Sequence, residues 1–459
     1  MSRARFLSLS VGFATIISLS AHADWPKWRG PAANGTAPGS NPPTTWSETE
    51  KVKWKMKIPG FGTSTPIIWK DQVFVVTAIP TGKKVETAPE PPRAAAPAPD
   101  SGPAGDQGRR RRGGGGGGGM RSEKPNEAYQ FAVISVDRAT GKIRWQKVAR
   151  EEVPHEGHHR DHGFASASPV TDGEHLYVSF GSRGLYCYDL KGNLKWEKDL
   201  GDMQTRNSFG EGASPAVHGD TVVVNWDHEG DDFIVALDKR TGEERWRQKR
   251  DEPTSWSTPL ILDHEGKSQV IVSATNRIRS YNLKTGEQIW ECGGMTTNAI
   301  PTPVSDFGHV YAISGFRGAA LLAIKLGRSG DLTDTDAITW KHAKATPYVP
   351  SPLLIGERLY FYSGNNGVLS AFNAKSGQPL FESERIGDLL GGVYASPVSA
   401  AGHVYLVGRD GKTVVIKDGD KLESVATNKL EDKFDASAAI VGNELFLRGH
   451  QYLYCIAES

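Results

Sequence analysis

The hydrophobic positions of this chain form short runs separated by polar turns, and the same arrangement recurs along most of its length. Each unit opens on a small residue and a proline, continues through β-branched and aromatic runs, and ends on a tryptophan. Four endings are clear: DRATGKIRW (137–145), DLKGNLKW (189–196), DKRTGEERW (238–246) and NLKTGEQIW (282–290). The openings at Pro169, Pro215, Pro259, Pro303, Pro352 and Pro397 are 46, 44, 44, 49 and 45 residues apart. This period is typical of four-stranded propeller blades rather than of helical solenoid repeats.

Within one unit, SASPVTDGEHLYVSFGSRGLYCYDLKGNLKW, the apolar runs predict four antiparallel strands, A to D. Strand A ends at Val170, strands B and C cover residues 176–180 and 185–188, and strand D ends at Trp196. Aspartate and glycine suit the intervening turns, because the Asp side chain bonds nearby backbone and glycine tolerates positive φ. The recurring tryptophans are predicted to be structural anchors between sheets rather than catalytic groups.

The last unit, DASAAIVGNELFLRGHQYLYCIAES, contains three predicted strands and no fourth. A strand that ends in tryptophan, within residues 52–55, precedes the first opening at Pro66. We predict that this N-terminal strand completes the last blade and closes the ring, which leaves no open sheet edge. The sequence therefore predicts an all-β, eight-bladed β-propeller over residues 52–459, preceded by an N-terminal extension over residues 24–51.

Two segments do not follow the repeat. Residues 1–23 combine two arginines, an apolar run and an Ala-His-Ala site, which is typical of a secretory signal peptide. No later apolar run approaches about 20 residues and no cysteine follows the cleavage site, so we expect a periplasmic or secreted protein without a transmembrane segment. An insert at about residues 80–128, with a run of four arginines (109–112) followed by a run of seven glycines (113–119), is predicted to be disordered. It is either a tolerated loop or a basic arm for an acidic polymer.

Composition removes several functional classes. The formal charge is +1, from 54 basic and 53 acidic residues, so no global field favours nucleic acid or a membrane surface. The three cysteines, Cys187, Cys292 and Cys455, cannot all pair. Cys187 and Cys455 lie six blades apart, so they are expected to be small buried hydrophobes rather than a disulfide. We expect a monomer whose partner is an unknown protein or a small anionic ligand.

Strand direction assigns every connection to one of two faces of the ring. The A-to-B and C-to-D turns are short and share one face. The D-to-A and B-to-C connections are longer and more varied, and they share the other face, which we name the long-loop face. Because functional residues concentrate in loops that a rigid scaffold holds, the long-loop face is the predicted site of function.

Arginines are numerous in the connections of the long-loop face. They are Arg183, Arg277, Arg317, Arg409 and Arg448 from B-to-C connections and Arg206 from a D-to-A connection. Their guanidinium groups would bind carboxylates or sulfates through paired hydrogen bonds. Acidic residues lie in neighbouring loops, namely Glu211, Asp227, Glu229, Asp231 and Asp232. The second interpretation is therefore that these groups form ion pairs that brace adjacent loops.

Aromatic residues are also predicted on this face, at Trp226, Trp256, Tyr348 and Tyr394. The last three immediately precede innermost strands, so they are expected to rim the central channel. Their rings would stack a quinone or a sugar, or would simply fill the channel.

The segment His155-Glu156-Gly157-His158-His159 matches the HExxH pattern of zinc proteases. That chemistry requires both histidines on one helical face. Pro154, Gly157 and the loop context argue against a helix, so zinc proteolysis is not predicted. A looser metal site that draws its ligands from His155, His158, His159, Asp161 and His162 is one interpretation, and a polar loop is the other.

The repeated DxxTGxxxW ending with its SxP opening resembles the PQQ-binding-like β-propeller repeat family over residues 52–459. Units of that family are similar to those of quinoprotein alcohol dehydrogenases and of the propeller subunit of the outer-membrane β-barrel assembly machinery. The opening DWPKWRGP (24–31) resembles that of many secreted members. Among the dehydrogenases the resemblance implies PQQ, calcium and a vicinal cysteine pair. This sequence has no adjacent cysteines, and its nearest candidates for calcium ligands are Asn207, Glu211 and Asp227.

Three functional hypotheses follow. The leading one is a non-catalytic exported propeller that binds a ligand or a protein partner on its long-loop face. Its rival is a divergent PQQ-dependent alcohol or sugar dehydrogenase. The third is recognition of an anionic glycan, which predicts binding that weakens as salt is added.

Overall fold

The computed structural model describes residues 24–85 and 122–458 of the chain. Over these residues it contains eight sheets, of which seven have four strands and one has five. The sheets are arranged as the blades of a ring, which confirms the predicted eight-bladed β-propeller. The predicted signal peptide and most of the predicted insert lie outside the described residues. In the described part of the chain, no helix has the length and apolarity needed to cross a membrane.

The strands follow the order predicted from the repeat. The first strand and those of blades 1 to 4 are β1 (Val52–Lys57); β2 (Ile67–Trp69), β3 (Gln72–Lys84), β4 (Glu127–Asp137), β5 (Ile143–Glu152); β6 (Val170–Thr171), β7 (His175–Ser179), β8 (Leu185–Asp189), β9 (Leu194–Lys198); β10 (Ala216–His218), β11 (Thr221–Trp226), β12 (Phe233–Asp238), β13 (Glu244–Lys249); and β14 (Leu260–His264), β15 (Lys267–Val272), β16 (Ile278–Asn282), β17 (Gln288–Cys292).

The second half of the ring repeats the pattern. The strands of blades 5 to 8 are β18 (Val304–Asp306), β19 (His309–Ser314), β20 (Ala320–Lys325), β22 (Ile338–His342); β23 (Leu353–Ile355), β24 (Arg358–Tyr362), β25 (Val368–Asn373), β26 (Pro379–Arg385); β27 (Val398–Ala400), β28 (His403–Val407), β29 (Lys412–Lys417), β30 (Ser424–Lys429); and β31 (Ala439–Val441), β32 (Glu444–Arg448), β33 (Tyr452–Ala457). The short strand β21 (Gly330–Asp331) adds in parallel to the outer edge of blade 4.

The ring closes as the sequence predicts. Strand β1 pairs antiparallel with β33, with Trp54 opposite Cys455, so the N-terminal strand is the fourth strand of blade 8. The inner strands β2 and β31 are also in contact across this junction. Blade 1 departs from the prediction in one respect, because β3 continues to Lys84 and β4 already begins at Glu127.

The repeated tryptophan and glycine have a shared packing role. The indole Nε1 of Trp54, on blade 8, donates to the carbonyl of Arg138 in the C-to-D turn of blade 1. Gly141 of that turn has φ +71°, and a Cβ there would lie 2.7 Å from the Trp54 ring. Four further indoles make the same bond to the following blade: Trp145 to Leu190, Trp196 to Lys239, Trp246 to Leu283 and Trp340 to Ala374. The DxxTGxxxW repeat therefore joins neighbouring blades, which confirms its structural role.

A serine or threonine at the opening of each blade, followed by proline in every blade except the eighth, joins the blades near the central channel. Its hydroxyl oxygen accepts a hydrogen bond from the backbone N–H of the equivalent residue in the preceding blade. Each residue of the following series donates its backbone N–H to the hydroxyl of the next: Thr65, Ser168, Ser214, Thr258, Thr302, Ser351, Ser396 and Ser437. We name these eight residues the hydroxyl belt. At the junction of blades 8 and 1, Arg448 donates to Ser64 instead.

The N-terminal extension lies across the short-turn face of the ring. It forms isolated bridges from Trp25 to Ile68 of blade 1 and from Thr36 to Ser399 of blade 7. Further backbone bonds join it to blades 2, 6 and 8, through Thr171, Leu354 and Gly442. The extension thus spans the end of the central channel opposite the long-loop face.

Candidate functional site

The central channel holds a cavity of about 550 Å³, which we name the channel cavity. Its wall at one end consists of hydroxyl-belt residues, namely Thr65, Ser168, Ser214, Thr258, Ser396 and Ser437, together with Trp28. Its wall at the other end comes from long-loop connections and includes Arg160, Arg206 and Arg317. Because Trp28 belongs to the N-terminal extension, the extension provides the floor of the cavity.

Arg29 anchors this floor. Its side chain is 2% exposed and donates to the carbonyl oxygens of Pro352 and Pro397, each at 2.8 Å. These two prolines open blades 6 and 7, so one guanidinium joins the extension to two inner strands. Burial without a carboxylate partner lowers the pKa of Arg29 to about 9. The motif DWPKWRGP therefore has a structural role that the sequence did not reveal.

Two of the six predicted arginines face the channel cavity without a partner. Arg206 and Arg317 both line it, and neither side chain makes a hydrogen bond or an ion pair with another described residue. Arg317 makes a cation–π contact instead, since its guanidinium lies 5.3 Å from the centre of the Phe316 ring. The D-to-A connection of blade 2 and the B-to-C connection of blade 5 thus bring two free positive charges to one cavity.

The other four arginines are paired or buried. Arg183 bonds Glu152 and Asp202, each at 2.6 Å, and Arg277 bonds Asp331 at 3.2 Å. Arg409 bonds Asp435 at 2.6 Å and Asp161 at 3.0 Å, beside the cavity. Arg448 is 2% exposed at the junction of blades 8 and 1. Arg183, Arg277 and Arg409 thus form ion pairs between loops, but with carboxylates other than the predicted ones, and Arg448 donates to Ser64 rather than to a carboxylate.

The acidic candidates do not converge on the channel. Asp227 forms an ion pair with Arg250 at 2.5 Å within blade 3, and both side chains are fully buried. Arg250 also donates to the Tyr281 hydroxyl of blade 4 at 2.7 Å. Glu211 lines a smaller cavity between blades 2 and 3. Asn207 lines the channel cavity itself, so the three candidate calcium ligands occupy three different places. This arrangement does not form the shared oxygen cage that calcium requires.

The cysteines likewise do not form a site. Cys187, Cys292 and Cys455 are buried as free thiols in blades 2, 4 and 8. Burial raises the pKa of each thiol, to about 12 for Cys187 and about 11 for Cys292. Cys187 and Cys455 fill space as the sequence predicted.

The predicted aromatic residues divide between wall and core. Trp256, Tyr348 and Tyr394 line the channel cavity, and Arg409 stacks on Tyr394 at 3.9 Å from its ring centre. Tyr348 stacks on Phe316 at 4.6 Å between ring centres, with 24° between their planes. Trp226 instead is buried against Phe233.

Several wall residues escaped the sequence prediction. Phe209, Phe316, Trp28 and Asn298 line the cavity without having been predicted. Asn298 is 3% exposed, and its Oδ1 has no hydrogen-bond partner among the described residues. Its position shortly before an innermost strand is the signal that identified Tyr348 and Tyr394. Applying that signal to polar residues as well would have found it.

The histidines of residues 155–162 also separate. His159 and His162 line the channel cavity, His158 packs edge-on against Phe164, and His155 lines the smaller cavity. Burial, assisted by the positive charge of His158, lowers the pKa of His162 to about 4. The structure therefore does not bring the four predicted histidines together.

Comparison with solved structures shows the same fold in proteins of different activity. The structure of BamB from Moraxella catarrhalis aligns with a TM-score of 0.52 and 17% identity, covering 71% of this chain and 93% of that one. The quinohemoprotein alcohol dehydrogenase of Comamonas testosteroni gives a TM-score of 0.58 and 10% identity, covering 95% and 80%. A europium-containing methanol dehydrogenase gives 0.59 and 10%, covering 95% and 98%.

Comparison of the sequence itself gives two results. Among curated proteins, no significant sequence relative was found. A family model described as outer membrane protein assembly factor BamB matches residues 130–332 and 326–459, which is well over half of the chain. The chain therefore belongs to the family described as outer membrane protein assembly factor BamB.

Proposed function

We propose that this protein is a non-catalytic binding propeller whose channel cavity receives an anionic group of a small ligand or of a protein segment. One observation carries the proposal: Arg206 and Arg317 line the same cavity and neither has a carboxylate partner. Each of the other four predicted arginines already has its contacts, so an incoming anion would be the partner that these two lack.

The shape and wall of the cavity support the proposal. A volume of about 550 Å³ lies in the usual range for small-molecule sites. Flat rings from Trp28, Trp256 and Tyr348 offer stacking surfaces, and the buried Oδ1 of Asn298 offers an acceptor. The favoured ligand therefore carries an anionic group and a hydrogen-bond donor on a flat or apolar body, as acidic sugars and acidic side chains do.

The family supports a binding role with protein partners. Its description names an assembly factor, and that description is the basis for expecting a scaffold here. The signal-like residues 1–23 support a location in the periplasm or outside the cell.

The direct test is a thermal-shift and calorimetric screen of sugar acids, di- and tricarboxylates and acidic peptides. We expect at least one class to bind the full mature chain, with an affinity that falls about tenfold or more in Arg206→Gln and in Arg317→Gln. Binding should also weaken as sodium chloride is raised. The matched control is Arg328→Gln, an exposed arginine outside the cavity. No binding by any class, or unchanged affinity in both cavity variants, would contradict the proposal.

A second candidate is PQQ-dependent oxidation of an alcohol or a sugar. It is favoured by two free guanidinium groups beside flat rings, which suit a planar carboxylated quinone. The dispersed positions of Asn207, Glu211 and Asp227 and the separate cysteines weigh against it. Absorbance titration with PQQ and calcium, followed by dye-linked oxidation of alcohols and sugars, decides between the two, because turnover would establish the enzyme.

A further inference from the structure

A second and much smaller cavity lies between blades 2 and 3, and we name it the inter-blade cavity. Its volume is about 40 Å³, and its walls include His155, Glu156, Glu211 and Asn225. A space of this size holds one ion with an attached water, or a few waters, and is too small for an organic ligand. The question is which of these occupants its chemistry favours.

Three potential metal ligands meet at this cavity. One ligand atom from each of His155, Glu156 and Glu211 lies within 4.8 Å of the other two. Glu211 is held in place by the backbone N–H of Ser182 at 2.6 Å and by its hydroxyl at 2.5 Å. Glu156 accepts a bond from the backbone N–H of Thr205 at 3.1 Å. Such supporting hydrogen bonds are usual for carboxylates that bind metals, because they orient the oxygens.

Asn225 provides an independent observation. It is 1% exposed and lines the same cavity. Its Nδ2 donates to Asp227 at 3.1 Å and to Ser255 at 3.3 Å, while its Oδ1 has no hydrogen-bond partner among the described residues. A buried amide oxygen without a partner destabilises the fold, because it has lost the hydrogen bonds that water gives it in the unfolded chain. A cation, or a water bound to it, would satisfy this oxygen.

His155 can offer its Nε2 to a metal ion once its ring proton lies on Nδ1. Its Nε2 lies 2.5 Å from the carbonyl oxygen of Met203 and 3.8 Å from Glu211. Its Nδ1 accepts from Arg183 at 3.0 Å and lies 3.8 Å from Asp202. When a metal binds Nε2, that nitrogen gives up its bond to the Met203 carbonyl and the ring proton moves from Nε2 to Nδ1, where it faces the Asp202 carboxylate. Arg183 then keeps its bonds to Glu152 and Asp202 and gives up the one to His155.

We propose that the inter-blade cavity binds one divalent cation through His155, Glu156 and Glu211, with Asn225 Oδ1 facing the ion or its water. One imidazole and two carboxylates suit Zn²⁺ or Mn²⁺. They suit Ca²⁺ less well, because calcium requires six to eight oxygen ligands. The ion would join the loop that starts at His155 to blade 3. The same loop contributes His159 and His162 to the wall of the channel cavity, so metal binding would stabilise that wall.

The test measures zinc bound to the mature chain after treatment with chelator, addition of ZnCl₂ and removal of excess metal. We expect one zinc per chain by elemental analysis, and at least a tenfold weaker affinity by calorimetry in His155→Ala and in Glu211→Gln. His158→Ala is the matched control from the same loop, and it should retain the metal. Zinc should also raise the melting temperature of the wild type and of His158→Ala, and should not raise that of the two ligand variants.

Three results would overturn the proposal: no stoichiometric zinc or manganese in the wild type, equal zinc in all variants, or retention by Glu211→Gln and loss in His158→Ala. Because Glu211→Gln preserves the side-chain volume, its circular dichroism and melting temperature without metal show whether a lost signal reflects the site or the fold. The anion-binding assay gives a separate readout, so failure of the metal site leaves the proposed function to be judged on its own result.

Discussion

Arginines of the channel wall and arginines of the blade junctions differ in what surrounds them. Arg206 and Arg317 line a cavity of about 550 Å³ without an ion-pair partner. Arg250, between blades 3 and 4, pairs with Asp227 at 2.5 Å, with neither side chain exposed. Residues of one type thus serve two purposes, and the surroundings distinguish them. A guanidinium with all its partners in the protein supports the fold, whereas one without partners is available to a ligand.

The largest loss of stability is expected when Arg250 is replaced. Arg250→Met leaves the buried Asp227 carboxylate without its countercharge, so we expect the free energy of unfolding to fall by about 3–5 kcal/mol. Chemical denaturation monitored by tryptophan fluorescence measures it. The double variant Arg250→Met with Asp227→Leu should recover much of the loss, because no buried charge remains. A loss below about 1 kcal/mol in the single variant would show that the buried pair does not support the fold.

A smaller loss is expected at Arg29. Arg29→Met leaves the carbonyl oxygens of Pro352 and Pro397 without their donor, which should cost about 2 kcal/mol. Because Arg29 anchors the segment that carries Trp28, binding in the channel cavity should weaken as well. Lys27→Gln, which removes the neighbouring positive charge, is the control for denaturation and calorimetry. Equal stability of the two variants would argue against Arg29 as the anchor.

His162 in the channel wall should make the free energy of unfolding depend on pH. Burial holds the pKa of His162 at about 4, below the value of 6.5 expected in the unfolded chain. The unfolded chain therefore takes up a proton first as pH falls, and the free energy of unfolding should decrease between pH 6.5 and 4. We expect a loss on the order of 1–2 kcal/mol from this residue. Denaturation at several pH values should show a shallower slope in His162→Gln, and an unchanged slope would assign the effect elsewhere.

The smallest change in stability is expected at the channel arginines. Arg206→Gln and Arg317→Gln remove charges that have no partner in the protein, so the free energy of unfolding should stay within about 0.5 kcal/mol of the wild type. Anion affinity should fall in the same variants, which separates binding from stability. A loss of stability comparable to that of Arg250→Met would mean that these residues support the fold.

Much of the fold was predictable because the repeat encodes contacts between adjacent blades. The hydroxyl at most blade openings and the indole of most endings bond a neighbouring blade, and these positions recur at a regular spacing. Ring closure was predictable for the same reason, since β1 carries the ending that the last unit lacks. Trp290 is the exception, with no partner for its Nε1 among the described residues. The C-to-D connection that follows in blade 5 is longer and contains β21.

The candidate site was predictable only in outline. Strand direction placed six arginines on the long-loop face, but it did not show which of them have partners. Arg409 meets Asp161, which is far from it in sequence, and Arg448 reaches Ser64 across 384 residues. Contacts of this kind follow no local pattern. The floor of the channel cavity was not predicted either, because Trp28 and Arg29 lie outside the repeat.

The sequence by itself determined the eight blades, the closing strand, the structural role of the tryptophans and the face that carries the varied loops. These follow from hydrophobic period and turn chemistry, which act between residues close in the chain or equivalent in the repeat. Only the tertiary structure decided that Arg206 and Arg317 are free, that the N-terminal extension floors the channel, and that His155 and Glu211 meet between blades 2 and 3. Each depends on which side chains from different connections approach within a few ångströms, and the packing of the blades around the ring sets those distances.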